Sequence, residues 1–130
     1  MIRVFLVEDN EVVRNGLAAI LPAQGDFEIA GQATNGLEAL DQLKEGLKVD
    51  LALVDLNMPV MDGIDLTRRL SDEFPMINVV ILTMHDKSAF VQKAAQAGAK
   101  GYALKHAEMD ELYGVLKSVH SGKNYFEDLK

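Results

Sequence analysis

The residues of this sequence best suited to do chemistry are the acidic pair Glu8-Asp9, then Asp55, Thr83 and Lys105. Each ends or follows a short apolar run: Ile2 to Val7, Leu51 to Val54, Asn78 to Leu82, and Tyr102-Ala103-Leu104. If these residues meet, three carboxylates crowd together. At roughly 4 Å and an effective dielectric near 20, each like-charged contact costs about 4 kcal/mol. Protonation with raised pKa values relieves that repulsion, and so does a hard divalent cation. Carboxylate, carbonyl and water oxygens suit Mg2+. The chain has no cysteine, and His85 is the only histidine near this group, so zinc is disfavoured. A carboxylate beside Mg2+ can attack phosphorus, and a lysine ammonium and a threonine hydroxyl can hold the oxygens of the transferred group. Taken singly, each residue has a plainer reading. Glu8-Asp9 are acids favoured at a helix start by its dipole. Asp55 is a solvated strand-end aspartate, Thr83 a β-branched strand residue and Lys105 a surface lysine. Only their convergence would favour the chemistry.

The elements that must position them follow from hydrophobic spacing and turn signals. The apolar runs read as strands buried on both faces: Ile2 to Val7, Phe27 to Ala33, Leu51 to Asp55, Asn78 to Thr83 and Tyr102 to Leu104. Between them lie helical patterns. Asn10 caps the first, with Val13, Leu17, Ile20 and Leu21 on one face, closed by Pro22 and Gly25. Asn35 caps the second, with Leu37, Leu40, Leu43 and Leu47 inward. The third runs from about Gly63 to Glu73 with Ile64, Leu66 and Leu70, and Pro75 ends it. Asp86 caps the fourth, which holds Phe90, Val91, Ala94, Ala95 and Ala97. The fifth, about Glu108 to Ser121, carries Met109, Leu112, Leu116 and Val119. Strict alternation of strand and helix predicts an α/β fold with a parallel sheet covered on both faces. All carboxyl ends of the strands then share one edge, where ligands bind in open α/β sheets. This topological inference brings Glu8, Asp9, Asp55, Thr83 and Lys105 together.

The 130 residues suit one domain with one core. A net charge of −7 makes DNA, RNA and anionic membranes poor direct partners for this segment. No apolar run approaches the roughly 20 residues that cross a bilayer, and Met1-Ile2-Arg3-Val4-Phe5 lacks a signal-peptide pattern. A cytoplasmic location is expected. No glycine-rich phosphate loop follows the first strand, which disfavours a nucleotide-binding domain.

Glu8-Asp9, the stretch Val54-Asp55-Leu56-Asn57-Met58-Pro59-Val60-Met61-Asp62-Gly63, Thr83, and Gly101-Tyr102-Ala103-Leu104-Lys105 together resemble the receiver domain of two-component response regulators, in order and spacing over about residues 1–122. The resemblance implies a flavodoxin-like doubly wound five-stranded parallel sheet of order 2-1-3-4-5 with five helices. It implies that Asp55 takes a phosphoryl group from a histidine-kinase phosphohistidine. Mg2+ would be held by Asp9 and Asp55 directly, by the Asn57 backbone carbonyl, and by Glu8 through water. Lys105 and Thr83 would hold the phosphoryl oxygens, and Thr83 and Tyr102 would be the switch residues. Shifting a two-state equilibrium from 1:99 to 99:1 takes about 5.5 kcal/mol, whereas one charge-assisted hydrogen bond supplies about 1.5–3. Thr83 therefore needs Lys105 and Tyr102 beside it. Such a domain catalyses only its own phosphorylation and dephosphorylation.

The sequence also departs from the family pattern. Many receivers have a proline after the lysine, joined by a cis bond; His106 stands here, which puts the geometry of that bond in question. Met84 stands where many relatives have a small residue, which predicts narrower access to the phosphate. Asn57, Met84 and His85 are the expected tuners of rate, and His120 is expected to be solvated. Gly16-Leu17, Gly98-Ala99-Lys100-Gly101-Tyr102 and His120-Ser121-Gly122 resemble the LuxR-type (NarL/FixJ) subgroup, whose members usually continue into a helix-turn-helix DNA-binding domain. Residues 123–130 would then be a tail or the start of a linker to that output domain. A stand-alone regulator and a degenerate, unphosphorylated binding module are the alternatives. A haloacid-dehalogenase-like phosphatase would need a second aspartate two residues on, and position 57 is Asn. A homodimer would pair helices one and five or four and five; sequence does not choose.

Overall fold

A computed structural model describes residues 1–84 and 88–123. Five strands alternate with five helices in the order β1 (Ile2–Val7), α1 (Glu11–Ala23), β2 (Phe27–Ala33), α2 (Gly36–Lys44), β3 (Leu51–Asp55), α3 (Gly63–Glu73), β4 (Asn78–Thr83), α4 (Ser88–Ala97), β5 (Gly101–Leu104) and α5 (Met109–His120). The strands form one parallel sheet ordered β2-β1-β3-β4-β5. This is the flavodoxin-like architecture expected from sequence.

Strand periodicity sorts the core into two layers. Phe5, Val7, Ala52, Val54, Val79 and Ile81 point to one face and pack on Leu40 and Leu43 of α2, Leu66 and Leu70 of α3 and Ala94 of α4. Val4, Leu6, Leu51, Leu53, Val80 and Leu82 point to the other face, against Leu21 of α1 and Leu112, Val115, Leu116 and Val119 of α5. The three central strands are thus apolar on both faces, whereas β2, expected to be buried on both, is an edge strand with Glu28 and Gln32 exposed.

The caps follow side-chain chemistry. Asn10 Oδ1 accepts from the N–H groups of Val12 and Val13, and Asn35 Oδ1 accepts from Glu38 N–H. Asp62 caps α3 by accepting from Asp65 N–H, a role not anticipated from sequence. Helix faces were read less well than strands. Leu37 is 48% exposed and Ala39 takes the inward place between it and Leu40. Ile20, expected on the apolar face of the first helix, is exposed as well, and so is Phe90 of the fourth. The expected Asp86 cap lies outside the described residues. All described peptide bonds are trans, including the one joining Lys105 to His106.

Candidate functional site

Asp55 closes β3, the central strand, so its side chain emerges at the carboxyl edge of the sheet. Glu8 and Asp9 follow β1 on one side of it, and Thr83 ends β4 on the other. Strand order reverses between β1 and β3, the position where open α/β sheets hold ligands. Lys105 follows β5, one strand further out, and its long side chain crosses the end of β4. Its Nζ lies 3.2 Å from Asp55 Oδ1 and 2.9 Å from Glu8 Oε1. Its backbone N–H donates to Thr83 O at 2.8 Å, tying the ends of β4 and β5 together.

Carboxylate oxygens of Glu8, Asp9 and Asp55 lie within 4.8 Å of one another. Glu8 and Asp55 are each only 2% exposed, whereas Asp9 faces solvent. Burial, then hydrogen bonding with Glu8 and Asp9 and the Glu8 charge, pushes the Asp55 carboxyl up to about 8; Lys105 opposes this without cancelling it. For Asp9, burial pulls upward, but hydrogen bonds with Asp55 and Glu8 and the Lys105 charge leave it below its ordinary value. For Lys105, burial pulls downward, yet its hydrogen bond to Glu8 and the Asp55 charge hold it above its ordinary value. A single ammonium is thus shared by two buried carboxylates, with a third beside them.

Asp55 Oδ1 accepts from Asn57 N–H at 3.2 Å in addition to its contact with Lys105. Asp55 Oδ2 is buried and no N–H or hydroxyl donates to it; what faces it are the carboxyls of Glu8 and Asp9. Buried carboxyls facing one another without donors are costly unless a proton or a cation lies between them. A hard cation is the group that such oxygens, with no sulfur or nitrogen ligand beside them among the described residues, would take. The residues present therefore fit Mg2+.

The remaining residues singled out from sequence fall as follows. Thr83 is buried beside the site at the end of β4, and Tyr102 is half-buried in β5, opposite Ile81 in the ladder and packed on the α2/α3/α4 layer. Both make interactions within the chain. Asn57 and Met84 are exposed at the rim, and His120 is exposed on α5. His85 lies outside the described residues.

Sequence reasoning missed two residues that hold the site. Gly63 appeared only as the start of the third helix and the last residue of the receiver-like stretch. A Cβ there would sit 2.3 Å from Asp55 O and 2.8 Å from Leu56 Cα, so only glycine lets α3 start this close to the site. Arg14 in α1 went unremarked, although its Nη1 donates to Glu8 O at 2.8 Å. An arginine six residues after the acidic pair, one helical turn into α1, was the available signal.

The chain is similar to several known regulatory proteins. It is 41% identical over 121 residues to the uncharacterized transcriptional regulatory protein YhcZ of Bacillus subtilis, covering 93% of this chain and 56% of that protein. It is 35% identical to the oxygen regulatory protein NreC of Staphylococcus aureus, covering 96% and 58% respectively. The chain thus spans little more than half the length of these curated relatives. Among solved structures, a LuxR-family two-component response regulator from Aurantimonas superposes with a TM-score of 0.88 at 30% identity, covering 95% of this chain and 87% of that one. The signal receiver domain of the putative response regulator NarL from Mycobacterium tuberculosis gives 0.86 at 30% identity, covering 94% and 98%. The family described as response regulator receiver domain matches residues 4–117, from β1 into α5, and this chain belongs to it.

Proposed function

We propose that this receiver domain is a phosphorylation-controlled switch in which Asp55 accepts a phosphoryl group from the phosphohistidine of a sensor histidine kinase, with Mg2+ bound. The observation that carries the reading is the buried Asp55 Oδ2, to which no N–H or hydroxyl donates, next to an oxygen already engaged by Lys105 and Asn57. Asp9 and Asp55, with the Asn57 carbonyl and Glu8 through water, are the groups to hold Mg2+. The ion supplies charge neutralisation at the phosphoryl oxygens. An Asp55 oxygen attacks phosphorus, the P–N bond to the donor imidazole breaks, and its electron pair stays on that nitrogen. Lys105 then moves its attraction from the carboxylates to the phosphoryl oxygens, and the Thr83 hydroxyl donates to them. In hydrolysis water attacks phosphorus, the O–P bond to Asp55 breaks with its electron pair staying on the carboxylate, and inorganic phosphate leaves. Asn57 and Met84, exposed at the rim, set the rate of this step together with His85.

The chain acts on no substrate but its own aspartate. Tyr102 follows Thr83 in transmitting the state of Asp55 to the surface of α4, β5 and α5. The output is a DNA-binding domain outside this chain, and the whole protein regulates transcription in the cytoplasm; similar chains are described as a transcriptional regulatory protein and as a DNA-binding response regulator, which supports this reading. No described helix is long and apolar enough to cross a membrane.

Intact-mass spectrometry after acetyl phosphate with Mg2+ tests this. Wild type should gain the mass of one phosphoryl group, lost on standing, and Asp55→Asn should gain none. A wild type that stays unmodified would make the chain a degenerate binding module. Rapid hydrolysis of assorted phosphomonoesters would make it a phosphatase.

A further inference from the structure

The turn that carries Glu8 and Asp9 is held from behind by a residue no reading of the chemistry has used. β1 ends at Val7, and Glu8 N–H still bonds across to Ala33 O at 3.0 Å. The next carbonyl, Glu8 O, has left the ladder in a nearly buried residue, where an unpaired carbonyl is costly. Arg14 Nη1 donates to it at 2.8 Å from the end of the first turn of α1. The Glu8 side chain is fixed too: Oε2 accepts from Asn10 N–H at 3.1 Å and Oε1 meets Lys105. Glu8 is therefore pinned at its N–H, its carbonyl and both carboxylate oxygens. Its carbonyl carbon is bonded directly to Asp9 N, so the grip on Glu8 O sets the peptide plane from which the Asp9 side chain springs.

We propose that Arg14 is a positioning residue for the divalent-cation site, acting on Asp9 through the Glu8–Asp9 peptide. This inference rests on the Mg2+ reading above. Groups that hydrogen-bond behind metal ligands typically change affinity by about 10–100-fold when removed. The sign separates this role from simple electrostatics. Deleting a nearby positive charge should tighten binding of a cation, whereas releasing the peptide should weaken it.

The test is isothermal titration of the whole chain with MgCl2. Arg14→Met should raise the Mg2+ Kd about tenfold. Arg14→Lys, which keeps the charge and a donor on a shorter reach, should fall between it and wild type. In the wild type, the Arg14 guanidinium NMR signals should shift on adding Mg2+, a readout that survives even if the variants misfold. An unchanged or lower Kd in Arg14→Met, or Arg14 signals blind to Mg2+, overturns the inference while leaving the switch intact. A wild type that binds no Mg2+ overturns the functional reading, and the inference falls with it.

Discussion

The two ends of the sheet carry the same kinds of charged residue and treat them in opposite ways. At the amino edge, Asp26 before β2 pairs with Lys117 of α5, and nearby Glu73 of α3 pairs with Arg69 and Lys44. These groups are exposed, each acid has a cation of its own, and both carboxyls lie below their ordinary values: Asp26 through its hydrogen bond to Lys117, Glu73 through that to Arg69. At the carboxyl edge Glu8 and Asp55 are buried and share the Lys105 ammonium. Asp55 is pushed up rather than down. The lesson is that acidic residues alone do not make a site. Burial with too few cations does, because the unmet charge is what an ion or a phosphoryl group can satisfy.

The contrast can be broken hardest at its shared cation. Lys105→Met leaves the buried Glu8 carboxylate without its counter-charge and should cost about 4 kcal/mol in urea unfolding at neutral pH. A loss no larger than that of an exposed pair would erase the distinction. Glycines give the next comparison. Gly63→Ala drives a Cβ into the backbone of Asp55 and should cost about 3 kcal/mol. Gly25, at the amino edge, has φ +100 but open space around it, so Gly25→Ala should cost only about 1 kcal/mol of backbone strain. Equal losses would mean that the site edge is no more tightly built than the other.

Third in size is the dependence on pH. The folded Asp55 carboxyl is raised to about 8, against about 3.9 in an unfolded chain. Between those values the folded protein holds a proton that the unfolded chain has released. Its contribution is therefore full below the lower value and is lost as pH rises through the upper one. Denaturation midpoints without divalent ions should fall across that window. Saturating Mg2+ should flatten the fall, and Asp55→Asn should remove it while adding about 2 kcal/mol near the upper end. A slope that survives in Asp55→Asn would locate the strain elsewhere. The smallest effect belongs to the amino edge. Lys117→Ala should return the Asp26 titration, followed by NMR, to the ordinary carboxylate range with no resolvable change in melting. A clear drop in melting would show that exposed pairs matter as much as buried ones.

Strands were the most legible part of the chain. They are short and bounded by turn residues or charges, and in β1, β3 and β4 burial on both faces leaves no face to misjudge; β1, β2 and β4 have the limits expected from their letters, although β2, at the sheet's edge, is buried only at its two ends. Helix faces were less legible, since a wide amphipathic stripe admits several rotations. Leu37 and Ile20 turned outward because Ala39 and Leu21 already fill the contacts with the sheet. In the site, the meeting of Glu8, Asp9, Asp55 and Lys105 followed from topology alone, whereas Arg14 and Gly63 escaped notice because what they do depends on distances to backbone atoms.

By itself the sequence determined the alternation of strands and helices, and with it the single edge at which the chemically able residues had to gather, because parallel strands joined by helices all end on the same side. The tertiary structure alone decided how much water reaches them. It shut Glu8 and Asp55 in with one ammonium, left Asp9 open to solvent, and left one Asp55 oxygen without a donor. Desolvation and pairing are properties of packed neighbours, and residues distant along the chain become neighbours only when the sheet and its helices close around them.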